Sequence, residues 1–151
     1  MKEYLLAKQL RALLEGETDE TACLANAAAL INEAFDRINW VGFYLAKNGE
    51  LILGPFQGKV ACMHIPFTKG VCGAAFSENR TLRVKNVHDF PGHIACDSAS
   101  NSEIVIPIRN GEGEPVGVLD MDSPVFDRFS EADEAVLTAC VRELEAILFR
   151  G

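Results

Sequence analysis

Positive charge is scarce in this sequence. Its 14 lysines and arginines stand against 22 aspartates and glutamates, a formal net charge of −8. A nucleic-acid surface carries a basic footprint, so nucleic acid is excluded as the expected partner, and an anionic membrane surface with it. Long apolar runs are missing too: none reaches the roughly 20 residues that a transmembrane helix needs. The opening stretch, MKEYLLAKQLRALLEG, sets Lys8 and Arg11 among its apolar residues and has no small-residue cleavage site. It therefore reads as an amphipathic helix rather than a secretory signal. These absences together predict a cytoplasmic chain, where thiols stay reduced and a disulfide is usually transient or catalytic. The chain also lacks internal repeats, linkers and low-complexity segments. What remains is 151 residues, 48% apolar and 24% charged, which predicts one domain over 1–151 with a sizeable core.

In a reducing compartment the five cysteines become informative: Cys23, Cys62, Cys72, Cys96 and Cys140. Their number is odd, and no C-x-x-C pair occurs. Cys23 sits in the alanine-rich DETACLANAAALINEAF and Cys140 in EADEAVLTACVRELEAILF, both helical in pattern. Buried cysteine behaves as a small hydrophobe, so these two are expected in the core. The other three lie near turns in the middle of the chain. Cys96 is the most unusual, set between a histidine and an aspartate in PGHIACDSASNSE, which suits neither helix nor strand.

The chain's pattern is helix, then strands, then helix. Residues 2–14 read as one helix. Thr18 or Asp19 caps a second that runs to about Phe35. INWVGFYLAK is rich in aromatic and β-branched residues, as strands are. An Asn-Gly turn follows, and ELILGPF returns as its hairpin partner. VACMHIPF suggests a third strand, KGVCGAAFSENR a short helix, and TLRVKNV a short strand. EIVIPIRN and EPVGVLDMDS form a second hairpin around GEGE. Ser130 with Asp133 resembles a capping box that opens a last helix to about Phe149. Strands joined by tight turns favour an antiparallel sheet. The expected class is α+β, with the terminal helices on one face of a central sheet and pocket-forming loops on the other.

Three chemistries compete for the central loops. The first is a metal site, for which Cys62, His64, Cys72, His88, His93 and Cys96 could each donate. A structural zinc site usually pairs ligands roughly two to four residues apart, and the one such pair here in a strand-like segment is Cys62 with His64, two apart and so on one face. The second is a cysteine nucleophile activated by histidine, since His93 precedes Cys96 by three positions and Asp97 follows it. Hydrolase partners normally come from distant segments, so this adjacency is a weak signal. The third is thiol redox chemistry. A thiolate attacks an oxidised substrate, becomes a sulfenic acid and condenses with a second cysteine. Cys96 could attack, with Cys72 or Cys62 as its resolving partner. Glu103, Asp120 or Asp122 could supply the proton, because carboxyls sharing a site force one pKa upward. Trp40 and Tyr44, four apart on a strand, face one side and could form an apolar wall.

The segments NWVGFYL, GPFQGKVAC, IPFTKGVCG, FPGHIACDSASNSEIVIPI and GVLDMDSP, in this order, resemble the free methionine-(R)-sulfoxide reductase family, enzymes built on a GAF domain. The resemblance implies a GAF fold and reduction of free L-methionine (R)-S-oxide to methionine, with a disulfide recycled by thioredoxin or a similar dithiol. It implies no cofactor and no metal. It also implies roles: Cys96 as the catalytic cysteine, Cys62 and Cys72 in resolution and relay, and Glu103, Asp120 and Asp122 as acids that bind and polarise the substrate. Trp40 and Tyr44 would line the pocket near the substrate's methyl end. Oligomeric state stays open, a homodimer included. The alternative is a GAF-type sensor that binds a small molecule without turning it over, although a sensor has no need of three such cysteines.

Overall fold

The computed structural model describes residues 4–93 and 99–150. Cys96, the expected nucleophile, lies outside them, as does Asp97. The described chain forms four α-helices and six strands: α1 (Leu5–Leu14), α2 (Glu20–Ala34), β1 (Trp40–Lys47), β2 (Glu50–Gly58), β3 (His64–Pro66), α3 (Gly70–Glu78), β4 (Leu82–Val84), β5 (Ser102–Arg109), β6 (Pro115–Ser123) and α4 (Glu131–Leu148). The strands make one antiparallel sheet in the order β3-β2-β1-β6-β5-β4.

Local chemistry explains most boundaries. Asp19, rather than Thr18, caps α2, its Oδ2 accepting from the Ala22 amide at 2.9 Å. Asn48 and Gly49 both take positive φ, 53° and 81°, as a two-residue type I′ hairpin requires. In the second hairpin Asn110 Oδ1 accepts from the amides of Glu112 and Glu114. Ser130 and Asp133 complete a reciprocal capping box at the start of α4. One element departs from expectation: the strand read in VACMHIPF shrinks to His64–Pro66. Val60 and Met63 are apolar but 88% and 69% exposed, so the apolar run there marks no buried face. Cys62 precedes the strand and does not share a face with His64, whose Nδ1 instead pairs with Glu50 Oε1 at 3.2 Å.

The sheet is buried on both faces, by different partners. Val41, Phe43 and Leu45 of β1, Ile104, Ile106 and Ile108 of β5, and Leu119 and Met121 of β6 point to one side, where α1, α2 and α4 cover them. Each such side chain contributes roughly 1.5–3 kcal/mol by leaving water. Cys23 and Cys140 sit in this core with no exposure and keep free thiols, as expected of small hydrophobes. The alternate residues, Trp40, Tyr44, Val105 and Val118, point to the other side, where α3 and β3 cover them. The terminal helices thus take one face and leave the second to α3 and the loops. No helix among the described residues is long and apolar enough to cross a membrane.

Candidate active site

Strand register assembles the site on the second face. Trp40 pairs with Asp122 across β1–β6, and Asp122 pairs with Glu103 across β6–β5. The row beside it runs Gly42, Asp120, Val105, and the next sets Tyr44 against Val118. Residues two apart on a strand share a face. Trp40 with Tyr44, and Asp120 with Asp122, therefore converge with Glu103 over the middle of the sheet. Gly42 is required by the neighbouring strand, since a Cβ there would lie 2.3 Å from Phe56 Cβ and 2.9 Å from the Pro55 carbonyl oxygen. The β1–β2 register shifts between Gly42 and Tyr44.

α3 and the loops close this patch into a pocket. Trp40, Tyr44, Cys72, Glu103, Asp120 and Asp122 all line it, six of the eight residues to which the resemblance gives roles. The aromatic wall is fixed at its edges. The Trp40 ring stacks on Phe56 at 5.2 Å and on Tyr44 at 5.9 Å between centroids. The Trp40 indole N–H donates to the Lys59 carbonyl at 3.2 Å, and the Tyr44 hydroxyl donates to the Cys62 carbonyl at 2.8 Å. Those bonds hold the 59–62 segment against the pocket. Cys62 itself is not part of the lining; it is disulfide-bonded, whereas Cys72 keeps a free thiol.

The acids are buried: Glu103 is 8%, Asp120 5% and Asp122 9% exposed. One ligand-capable atom each from Cys72, Glu103 and Asp120 lies within 4.8 Å of the others, with Cys72 Sγ 3.9 Å from Glu103 Oε2. Burial pushes the Glu103 carboxyl well above the usual range, and the charge of Asp122 adds to this. Burial, then the Glu103 charge, does the same to Asp120. The Cys72 thiol is raised well above its ordinary value by burial first and by Asp120 and Glu103 next. Desolvation and like-charge repulsion both penalise the ionised forms. Both carboxyls therefore hold a proton more tightly than they would in water. Asp120 Oδ1 is buried and has no hydrogen-bond partner among the described residues. A thiol and two carboxyls this close also form a donor set that a divalent cation of the zinc type accepts.

Of the rest of the lining, only His93 was considered from the sequence, as a metal donor or an activator of Cys96. The rest comprises Ala61, Ile65, Lys69, Gly70, Val71, His93 and Ser100. Ser100 Oγ accepts from the Asn39 side-chain amide at 3.1 Å. His93 is held toward its neutral form by burial and by nearby His88, whose ring centroid is 6.2 Å away. The one sequence signal that could have found Lys69–Val71 was KGVCG, a glycine-flanked helix start beside a reactive residue type.

The GAF domain model matches residues 17–148. A free methionine-R-sulfoxide reductase of Escherichia coli is 51% identical over 143 residues, 95% of this chain and 86% of that protein. Among solved structures, the reduced form of fRMsr from Staphylococcus aureus superposes with a TM-score of 0.92 at 54% identity, covering 95% of this chain and 93% of that one. The free methionine-R-sulfoxide reductase of Neisseria meningitidis, solved in complex with its substrate, gives a TM-score of 0.89 at 45% identity over 93% of this chain and 84% of that one.

Proposed function

Because the chain belongs to the GAF-domain family, and within it to the free methionine-R-sulfoxide reductases, we propose that it reduces free L-methionine (R)-S-oxide to methionine by cysteine chemistry. The observation that carries this reading is the pairing, in one pocket, of an aromatic wall with carboxyl groups whose hold on a proton is strengthened by burial. A methyl sulfoxide needs both: an apolar surface for its methyl group and a proton for the oxygen it loses.

In the proposed sequence the Cys96 thiolate attacks the sulfoxide sulfur. Glu103 delivers a proton to the oxygen, with Asp120 and Asp122 holding the substrate, and Trp40 and Tyr44 enclose the methyl end. Methionine leaves and Cys96 becomes a sulfenic acid. A second thiol then condenses with it, releasing water and forming a disulfide. Cys62 suits that step better than Cys72, because Cys62 is disulfide-bonded while Cys72 keeps a free thiol. The raised pKa of Cys72 makes it a poor nucleophile near pH 7, which favours assigning the attack to Cys96. A cytoplasmic dithiol protein of the thioredoxin type would restore the thiols.

The test is turnover with dithiothreitol as reductant. Free methionine should appear from the R epimer, while the S epimer and a sulfoxide-containing peptide persist. Comparable reduction of the peptide would refute the proposed specificity. Binding without any turnover would favour a sensor.

A further inference from the structure

We propose that Cys72, Glu103 and Asp120 form a binding site for a divalent cation of the zinc type, and that the ion, once seated, shuts the pocket to substrate. The metal site stands on geometry and donor chemistry; the exclusion of substrate rests on the reductase reading.

Three separate elements bring the ligands together. Cys72 is the third residue of α3, Glu103 lies on β5 and Asp120 on β6. The two strands are paired neighbours, and α3 packs over them, so the folded chain holds the donors in place before an ion arrives. One ligand-capable atom from each residue lies within 4.8 Å of the other two, and all three residues are buried. Zinc binds thiolate sulfur at about 2.3 Å and carboxylate oxygen at about 2.0–2.2 Å, so a tetrahedral sulfur–zinc–oxygen pair spans about 3.6 Å. Cys72 Sγ stands 3.9 Å from Glu103 Oε2, and that pair needs to close only slightly.

A second observation points to a ligand. Asp120 Oδ1 is buried without a hydrogen-bond partner among the described residues, and Asp120 lines the pocket. A buried polar atom left without a partner calls for a bound ion or molecule to satisfy it. The surrounding charge favours a cation. Neither Glu103 nor Asp120 forms an ion pair with a basic side chain among the described residues. The thiol then selects among cations. Magnesium and calcium take oxygen ligands and are poorly served by sulfur, whereas zinc accepts sulfur and oxygen together. Three protein ligands leave a fourth position, which water from the pocket completes. As the ion binds, the thiol and any protonated carboxyl release their protons to solvent. Glu103 then has no proton for the sulfoxide oxygen, and the ion stands where Asp120 would hold the substrate.

The experiment titrates Zn²⁺ into the full chain, reduced and then freed of thiol reductant, by isothermal calorimetry. One ion per chain should bind at this site. Loss of an outer-shell partner already weakens a metal site about 10–100-fold, so Cys72→Ser and Asp120→Asn, which remove direct ligands, should each weaken binding about 100-fold or more. Cys62→Ser and Cys96→Ser should leave the affinity unchanged. Affinity kept in Cys72→Ser and lost in Cys62→Ser or Cys96→Ser overturns the site. Melting temperatures of the zinc-free variants show whether each is folded. Should one fail to fold, anomalous X-ray scattering from wild-type crystals soaked in zinc decides: a peak between Cys72, Glu103 and Asp120 supports the site, and its absence there overturns it. For the exclusion, pre-reduced enzyme is given free methionine (R)-sulfoxide for one turnover with no external reductant. Bound zinc should suppress methionine release, and a chelator should restore it; release at the zinc-free rate overturns the exclusion. If zinc-free enzyme released no methionine, the reductase reading would fail, and calorimetry would still decide the metal site.

Discussion

Glu103→Gln separates the electrostatics of the acid cluster from its packing, since glutamine keeps the shape and loses the ionisable proton. Glu103 and Asp120 are buried, and the carboxyls of both are pushed well above their ordinary 4.5 and 3.8. The sign follows from proton counts. In the unfolded chain both groups ionise in the acid range, while the native chain retains protons to higher pH. The native state binds more protons, so its advantage is complete below the unfolded pKa values and is lost as pH rises through the folded ones. Each retained proton lowers the unfolding free energy by about 1.4 kcal/mol per pH unit. One proton kept from pH 6 to pH 8 therefore costs the wild type about 2.7 kcal/mol across that interval. Glutamine removes this slope directly. It also removes the neighbour whose charge and hydrogen bond raise Asp120.

Urea midpoints at pH 6, 7 and 8, taken with all thiols reduced and converted with a common m-value, measure the effect. The comparison is between slopes, so a constant packing penalty in the variant cancels, as do groups that titrate alike in both proteins. The variant's stability relative to wild type should climb with pH, by up to about 2.7 kcal/mol at full proton retention. Parallel curves for the two proteins would show that Glu103 carries no retained proton, and its role as donor would fall with that result.

Two further predictions concern other elements. Cys96→Ser should abolish turnover. Cys62→Ser should still release about one methionine per enzyme but lose recycling by a thioredoxin-type protein, and Cys23→Ser and Cys140→Ser should keep the full cycle; a peptide map after one turnover that finds the oxidised sulfur away from Cys96 overturns this order. Gly42→Ala should destabilise by about 1–3 kcal/mol through collision with the β2 backbone, seen as a fall in melting temperature of about 3–10 °C; an unchanged melting point would mean that the two strands part without cost.

What the sequence made legible was whatever depended on neighbours along the chain. The Asn48–Gly49 hairpin and the Ser130 cap are local devices, and each formed where its residues stood. Spacing of two or four on a strand put Trp40 with Tyr44, and Asp120 with Asp122, on common faces. β3 was overextended because Val60 and Met63 are apolar, yet both face solvent; hydrophobicity reports burial only when the rest of the fold supplies a cover. The alignment of Trp40, Asp122 and Glu103 in one row depends on the registers of two strand pairs, which spacing within a strand does not reveal. The approach of Cys72 to Glu103 and Asp120 was hidden for a similar reason. It exists only once α3 has packed over the sheet.

The proposed mechanism puts its two chemical roles in different places, and burial is the reason. A proton donor at neutral pH must hold its proton more tightly than a carboxyl in water does, and a thiol nucleophile must hold its own less tightly. Desolvation among carboxyls moves both kinds of group in the same direction, upward. Glu103 and Asp120 gain a useful proton from that shift, while Cys72, in the same cluster, is locked as a thiol. A nucleophile on the sheet or on α3 would therefore be disabled by the environment that makes the acids effective. In the proposed mechanism the attacking sulfur therefore comes from a separate segment. That requirement gives a physical reason to seek the nucleophile at Cys96, in a stretch whose small polar residues suit neither helix nor strand.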